Sequence, residues 1–295
     1  MIKNITTNIK SVKEIIRGCK NKSALDLKAR SPLIKTGFST VDCALSGGLR
    51  PEELTILAAR PGMGRTAFAC EIALNNAKAG KNVCIFSFSL SAEELGWRLI
   101  AREAKIEPFK LRQPKYLTDE DTYKLRESFN SNDFSNILIC DNAFKYEKIL
   151  EVMKEYTLQY GGSDLIIMDD INCLSNRSRT NKRQSTSTTV YCQIRALAKI
   201  LDIPIICCDN LPRTIENRKN KRPRLSDITP SAEKETQNVI FLYRDSYYND
   251  GGTENECEVI VAKAHGESDL NKSVRLGWDG QHTAFSEIDC ESEDN

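Results

Sequence analysis

Between Ala58 and Ala69 the chain reads AARPGMGRTAFA, a glycine-rich turn followed by a cation and a hydroxyl residue. That spacing suits a phosphate cradle. Gly62 and Gly64 let the backbone approach phosphate oxygens, Arg65 supplies positive charge, and the Thr66 hydroxyl is placed for a divalent cation, with Arg60 and Ala67 flanking the loop. The usual cation at this position is lysine, a compact point charge. Arg65 brings a planar fork on a longer arm, and the two are not interchangeable in a tight loop. A second element is LIIMDD at 165–170, an apolar run that ends in carboxylates, where Asp169 can hold the same cation through its water shell. The bland alternatives are a fortuitous glycine turn between strand and helix, and an Asp that merely forms a turn.

The context favours the cradle, because elements that can position it surround it. LTILAA, beginning at Leu54, reads as a buried strand directly before the loop, and Thr66 to Lys78 reads as the helix that the loop opens. Strand and helix then alternate. NVCIFSF precedes a helix from Ser91 to about Ala104; Thr118 and Asp121 form a capping-box start for another; ILIC at 137–140 reads as a buried strand. A helix from about Tyr146 to Tyr160 leads into LIIMDD, and a helix at about 187–201 is separated by Pro204 from the strand IICCD. VIFLYR and EVIVAK follow as hairpin-like strands. The pattern predicts an α/β fold, a mainly parallel sheet flanked by helices with antiparallel strands at its C-terminal end.

Composition narrows the class without choosing a partner. The 295 residues, 40% hydrophobic, can bury a sizeable core, and the formal net charge of +1 at pH 7 argues neither for nor against nucleic acid. The 11 cysteines show no C-x-x-C pair; Cys84, Cys140, Cys207 and Cys208 lie in apolar runs and read as small hydrophobes in a reducing cytoplasm. No run approaches the length of a membrane span, so the expectation is a cytoplasmic protein without a membrane partner. Residues 1–33 carry a weak amphipathic pattern at Ile5, Ile9, Val12, Ile15 and Ile16 and then a polar linker, 34–286 form the main domain, and 287–295 are an acidic tail.

Four segments in order, TGFSTVDCALSGGLRPEELTILAARPGMGRTAF, VCIFSFSLSAEEL, LIIMDD and NLPRTIENRKNKRP through FLYRDSYY, resemble the ATPase domain of DnaB-type replicative DNA helicases from about Thr36 to His265. The resemblance implies a RecA-like core that binds ATP and Mg2+ between subunits of a hexameric ring and draws single-stranded DNA through the centre. It implies that the N-terminal amphipathic segment is a linker helix, with only about 30 residues before the core and none of the family's separate N-terminal domain. It also assigns roles. The family has Glu at the position of Ser89, where it polarises the attacking water; a Gln that senses the γ-phosphate at Asn210; and a Lys with an Arg finger two residues on, here Lys263 and His265. Ser89 is no carboxylate base and His265 no permanent cation, and loss of a finger costs on the order of 10³ in rate. The resemblance therefore predicts a nucleotide-binding domain impaired in hydrolysis, with an active, strand-translocating motor as the alternative.

Two basic segments are candidates for contact with single-stranded DNA. The first carries Arg177, Arg179, Lys182 and Arg183; the second carries Arg213, Arg218, Lys219, Lys221, Arg222 and Arg224. Both follow strands that the fold makes neighbours, and such clusters bind phosphates without sequence preference. The alternative is a pair of solvated loops. No aromatic residue interleaves either segment, and where the family continues its SD-I/L with R-E-S-G this chain reads Thr229, Pro230, Ser231, Ala232. The expected partners are copies of the chain in a ring or filament, or a true replicative helicase.

Overall fold

The computed structural model describes residues 33–130, 134–143, 145–173, 186–249 and 252–288. The expected linker helix, the first basic segment and the acidic tail beyond 288 lie outside the described residues.

Nine strands form one sheet: β1 (Leu54–Ala59), β2 (Val83–Ser87), β3 (Ile137–Cys140), β4 (Leu165–Asp169), β5 (Ile205–Asn210), β6 (Asn238–Tyr243), β7 (Glu256–Ala264), β8 (Glu267–Asp279) and β9 (Ala284–Glu287), in the order β3-β2-β4-β5-β1-β6-β7-β8-β9. From β3 to β6 the neighbours run parallel, and from β6 onward they run antiparallel. The described helices are α1 (Ser39–Ala44), α2 (Arg65–Lys78), α3 (Ala92–Ala104), α4 (Pro108–Arg112), α5 (Asp119–Asn130), α6 (Tyr146–Tyr160), α7 (Thr186–Leu201) and α8 (Pro230–Glu235).

Helices cover both faces, which explains why the central strands are apolar throughout instead of alternating. Along β1, Leu57 and Ala59 join a core layer with Phe68 and Ile72 of α2 and Leu95 and Leu99 of α3; Leu54, Ile56 and Ala58 join the opposite layer with Met153 of α6 and Ile194 and Leu197 of α7. The two-residue period of the strand thus feeds two cores from one apolar run. ILIC is corrected in one respect: β3 is half-buried, because it is the sheet's edge and has a neighbour on one side only. The capping box at α5 forms as its sequence predicts, with the Asp121 amide donating to Thr118 Oγ1 at 3.1 Å and the Thr118 amide to Asp121 Oδ2 at 3.0 Å.

This strand order sets the site. β1, β5, β4 and β2 lie side by side, so the loops leaving their C-terminal ends open onto one crevice, as in other doubly wound sheets.

Candidate functional site

The loop after β1 closes on α2 through two residues with left-handed backbone, Gly62 (φ +86°) and Gly64 (φ +94°), the latter being the N-cap of α2. A side chain at either would be strained by the backbone and crowded by an aromatic ring. A Cβ on Gly62 would lie 3.0 Å from Tyr247 Cε2, and one on Gly64 would lie 2.9 Å from Trp278 Cζ3 and 3.0 Å from Phe285 Cζ. Aromatic rings from the C-terminal strands thus press on the back of the loop and hold it in shape. Arg244 adds to that wall: its guanidinium lies 4.7 Å from the Trp278 ring centroid and donates to the Gly62 carbonyl at 3.2 Å, and burial lowers its pKa. The Arg65, Thr66 and Ala67 amides precede the first helical bond of α2, Phe68 to the Gly64 carbonyl, and no acidic residue occupies that turn, so this end favours an anion.

In front of the loop is a cavity of about 470 Å³ lined by Arg60, Gly62, Gly64, Arg65, Thr66, Ala67, Arg98, Arg102, Arg112, Asn210 and Trp278 among others. Five arginines line it and no carboxylate does, which suits an anionic ligand. The cations are themselves held from behind. Arg60 donates to Glu216 Oε1 at 3.0 Å and to the Leu211 carbonyl at 2.7 Å; Arg102 donates to Glu71 Oε1 at 2.6 Å; Arg98 and Arg112 share Glu94 Oε1 at 2.9 and 2.7 Å. Arg60 therefore ties the loop to the segment after β5.

Arg65, Thr66, Asp169 and Asn210, distant in sequence, meet at the floor of this crevice. Thr66 Oγ1 donates to Asp169 Oδ2 at 2.7 Å. The Arg65 guanidinium spreads over the strand ends: Nη1 donates to Asn210 Oδ1 at 2.7 Å, and Nη2 lies 3.0 Å from Asp170 Oδ2 and 3.4 Å from Asp169 Oδ1. Asn210 Nδ2 in turn donates to Asp170 Oδ2. Burial opposes the charge on Arg65, but Cys208 and the Asp169 and Asp170 carboxylates together more than offset it, and its pKa is raised. The hydroxyl and carboxylate oxygens gathered here are of the type that a hard divalent cation takes, but they are bonded to one another and to Arg65, and among the described residues no group of three or more acidic, His or Cys side chains forms a metal cage. Asp170 was not singled out in the sequence, where it reads as the second half of a turn.

Ser89 follows β2 and is exposed. The bond from the Phe88 amide to the Asp169 carbonyl, 2.6 Å, brings this turn to the end of β4. Glu94, the nearby carboxylate, is committed to Arg98 and Arg112. Lys263 and His265 are elsewhere, at the β7–β8 turn. Lys263 Nζ donates to the Glu233 carbonyl at 2.7 Å, and burial lowers its pKa. The His265 ring lies between Glu53 Oε2 and the Leu45 carbonyl, at 2.8 and 2.7 Å, with 8% of its side chain exposed. Both ring nitrogens are thus occupied within the chain. At the position where the family resemblance places a finger, this ring is held inward by its own chain.

The second basic segment follows β5, beside β4, as expected, but its cations divide into two sets. Arg218 makes a bidentate pair with Asp227 at 3.0 and 2.9 Å, Arg222 pairs with Glu258, and Lys221 Nζ lies 4.7 Å over the Tyr248 ring. These three brace the loop. Arg213, with 89% of its side chain exposed, faces solvent with only a 3.5 Å pair to Glu216, and Lys219 and Arg224 are exposed without an ion pair among the described residues. Beneath the loop, Tyr191 Oη and Asn172 Nδ2 donate to Asp209 at 2.5 and 2.8 Å, and burial raises the Asp209 pKa against both hydrogen bonds.

A glycine cradle at the C-terminal edge of a mainly parallel sheet, with an amide ending the neighbouring strand and an acid ending the one beyond it, defines a RecA-like P-loop domain. Comparison with known proteins agrees. Residues 34–287 match the model of the DnaB-like helicase C terminal domain, and the chain belongs to that family. The replicative DNA helicase DnaB of Geobacillus stearothermophilus is 38% identical over 236 residues, which cover 78% of this chain and 51% of the relative, so the chain spans about half the length of such relatives. A solved ATPase domain superposes with a TM-score of 0.83 at 25% identity, covering 95% of this chain and all (100%) of that one. A DnaB-like replicative helicase, solved to show its interactions with primase, superposes with a TM-score of 0.80 at 25% identity over 95% of this chain and 68% of that one. No described helix is long and apolar enough to cross a membrane.

Proposed function

We propose that this chain is a helicase-type domain of DNA replication that binds a nucleoside triphosphate, ATP in the first instance, on the Gly62–Thr66 loop and hydrolyses it poorly. Thr66 and Asp169 carry the oxygens that the family resemblance gives to Mg2+, and both stand at the floor of the crevice, where they are bonded to each other and Asp169 is also covered by Arg65. The loop amides and the basic cavity wall bind and orient the phosphates, and the aromatic wall behind Gly62 and Gly64 keeps the loop in its binding shape.

The observation that carries the reading of weak hydrolysis is the placement of His265. A finger must leave its own subunit and reach a neighbour's nucleotide; this ring is bound on both sides by Glu53 and Leu45. Ser89, at the end of β2, adds that no charged base stands at the position the family resemblance assigns to one. Lys219 and Arg224, exposed and without an ion pair among the described residues, and Arg213, 89% exposed beside Glu216, are the residues of the second basic segment that can meet single-stranded DNA, and the partner is a ring or filament of copies or a true replicative helicase.

The test is steady-state ATP hydrolysis by the purified chain with and without single-stranded DNA, beside an Asp169→Ala variant that reports contaminating activity. Turnover equal to that of the variant is expected. DNA-stimulated turnover that disappears in the variant would instead make the domain a working motor with substituted parts.

A further inference from the structure

The family resemblance gives the loop cation one task, contact with phosphate. In this chain the cation is arginine, and its guanidinium is engaged elsewhere. Nη2 faces the Asp169 and Asp170 carboxylates, Nη1 is bound to Asn210, and 13% of the side chain is exposed. Asp169 is 3% exposed and Asp170 10%, so the two carboxylates share one cation in a dry pocket. A lysine ammonium is a single point and cannot span this set; the planar fork can.

We propose that Arg65 is the built-in counter-cation of the Asp169–Asp170 pair, standing where a divalent ion would otherwise be shared, so that the pocket takes a nucleoside triphosphate with affinity that barely depends on Mg2+. Guanidinium and dication compete for the same oxygens. Thr66 Oγ1 already donates to Asp169 Oδ2 and the guanidinium covers Asp169 Oδ1 and Asp170 Oδ2. An entering dication would meet neutralised carboxylates and a fixed positive charge beside them. Withdrawing the guanidinium toward the phosphates would leave two buried carboxylates facing each other without a cation, which the low exposure of the site makes costly. The guanidinium therefore stays. The phosphates are compensated by loop amides and by the basic wall of the cavity, and Mg2+ adds little.

The inference rests on the nucleotide-binding reading, and two measurements keep them distinguishable. In the first, a fluorescent ATP analogue is titrated into wild type and Arg65→Lys, with Mg2+ and with excess EDTA. Wild-type affinity should change by less than about threefold between the two conditions, while Arg65→Lys, which uncovers the carboxylates, should bind at least about tenfold tighter with Mg2+. A wild-type gain of tenfold, or equal ratios in the two proteins, overturns the proposal. In the second, Mn2+ binding to nucleotide-free protein is followed by electron paramagnetic resonance. Wild type should hold no Mn2+ that Asp169→Asn removes, and Arg65→Ala should gain an ion that Asp169→Asn in the same chain abolishes. A wild-type ion lost on Asp169→Asn, or no gain in Arg65→Ala, overturns it even if no nucleotide binds in the first measurement, which would sink only the nucleotide reading.

Discussion

The coupling between Arg65 and Asp170 can be measured without any ligand. The closest approach of the two charges is 3.0 Å, with 13% and 10% of their side chains exposed. At an effective dielectric constant of about 20, that separation gives a gross attraction of about 5 kcal/mol. Desolvation of both groups takes back a large part, and the share of Arg65 given to Asp169 and Asn210 takes back more, leaving an expected coupling of about 2 kcal/mol. The assay is a double-mutant cycle by urea unfolding of wild type, Arg65→Ala, Asp170→Asn and the double variant. Asp170→Asn is chosen because it keeps an acceptor for Asn210 Nδ2 while removing the charge. Each single substitution should lower stability, the double should cost less than their sum by about 2 kcal/mol, and the dependence on urea should keep one slope across the set. A coupling below about 0.5 kcal/mol, the level of an exposed surface pair, would mean that water screens the guanidinium. The account of the crevice floor would then be wrong.

Gly64→Ala should lower stability by about 2–5 kcal/mol, because it adds a left-handed side chain and a Cβ 2.9 Å from Trp278; thermal unfolding should show a fall of roughly 5 °C or more, and an unchanged midpoint would detach the loop from the aromatic wall. Burial raises the Asp209 pKa, so the folded chain holds that proton more tightly than the unfolded chain does. Stability of wild type relative to Asp209→Asn should therefore fall as pH rises from 3.8, its ordinary value, and level off above the raised value; a rise across that window in denaturant midpoints would reverse the sign of the argument. Binding to single-stranded DNA should separate the two sets of cations. Lys219→Ala or Arg224→Ala should each reduce the salt slope of binding by about 0.7 without loss of stability, whereas Arg218→Ala should cost about 1–2 kcal/mol of stability by releasing Asp227.

Much of the fold is legible along the chain because its causes are local. The buried strands are continuous apolar runs, α6 keeps the bounds its periodicity gives it, and the Thr118–Asp121 box starts α5. Edge position is not local, so ILIC reads as buried and is only half so. The site divides in the same way. Gly62, Gly64 and Thr66 are visible as a spacing. Trp278 and Phe285, more than 200 residues further on, carry no mark that they press against the loop, and Asp170 reads as part of a turn until β5 brings Asn210 beside it. The basic segment shows the limit most plainly: Arg218, Lys221 and Arg222 have the composition of a phosphate-binding patch, but Asp227, Tyr248 and Glu258 take them into the framework. Charge can be counted in a sequence; whether it is already neutralised depends on partners that only folding supplies.

The substitutions at Arg65 and Ser89 affect different parts of the crevice, and this has an experimental consequence. A carboxylate at position 89 can polarise water, but that water attacks the γ-phosphorus and displaces the diphosphate efficiently only where the phosphates carry a metal, and the oxygens for that metal are covered by Arg65. Ser89→Glu alone should leave ATP turnover at the level of Asp169→Ala. Arg65→Lys alone uncovers the carboxylates without supplying a base, and should raise Mg2+ dependence of binding without raising turnover. Only the two together should lift hydrolysis above the Asp169→Ala control, and even then far below a complete motor, because His265 stays between Glu53 and Leu45 and offers the neighbouring subunit no cation. Steady-state hydrolysis of the four proteins decides the matter. Turnover gained by Ser89→Glu alone would show that Arg65 does not keep the metal out, and would refute the order of causes argued from the crevice floor.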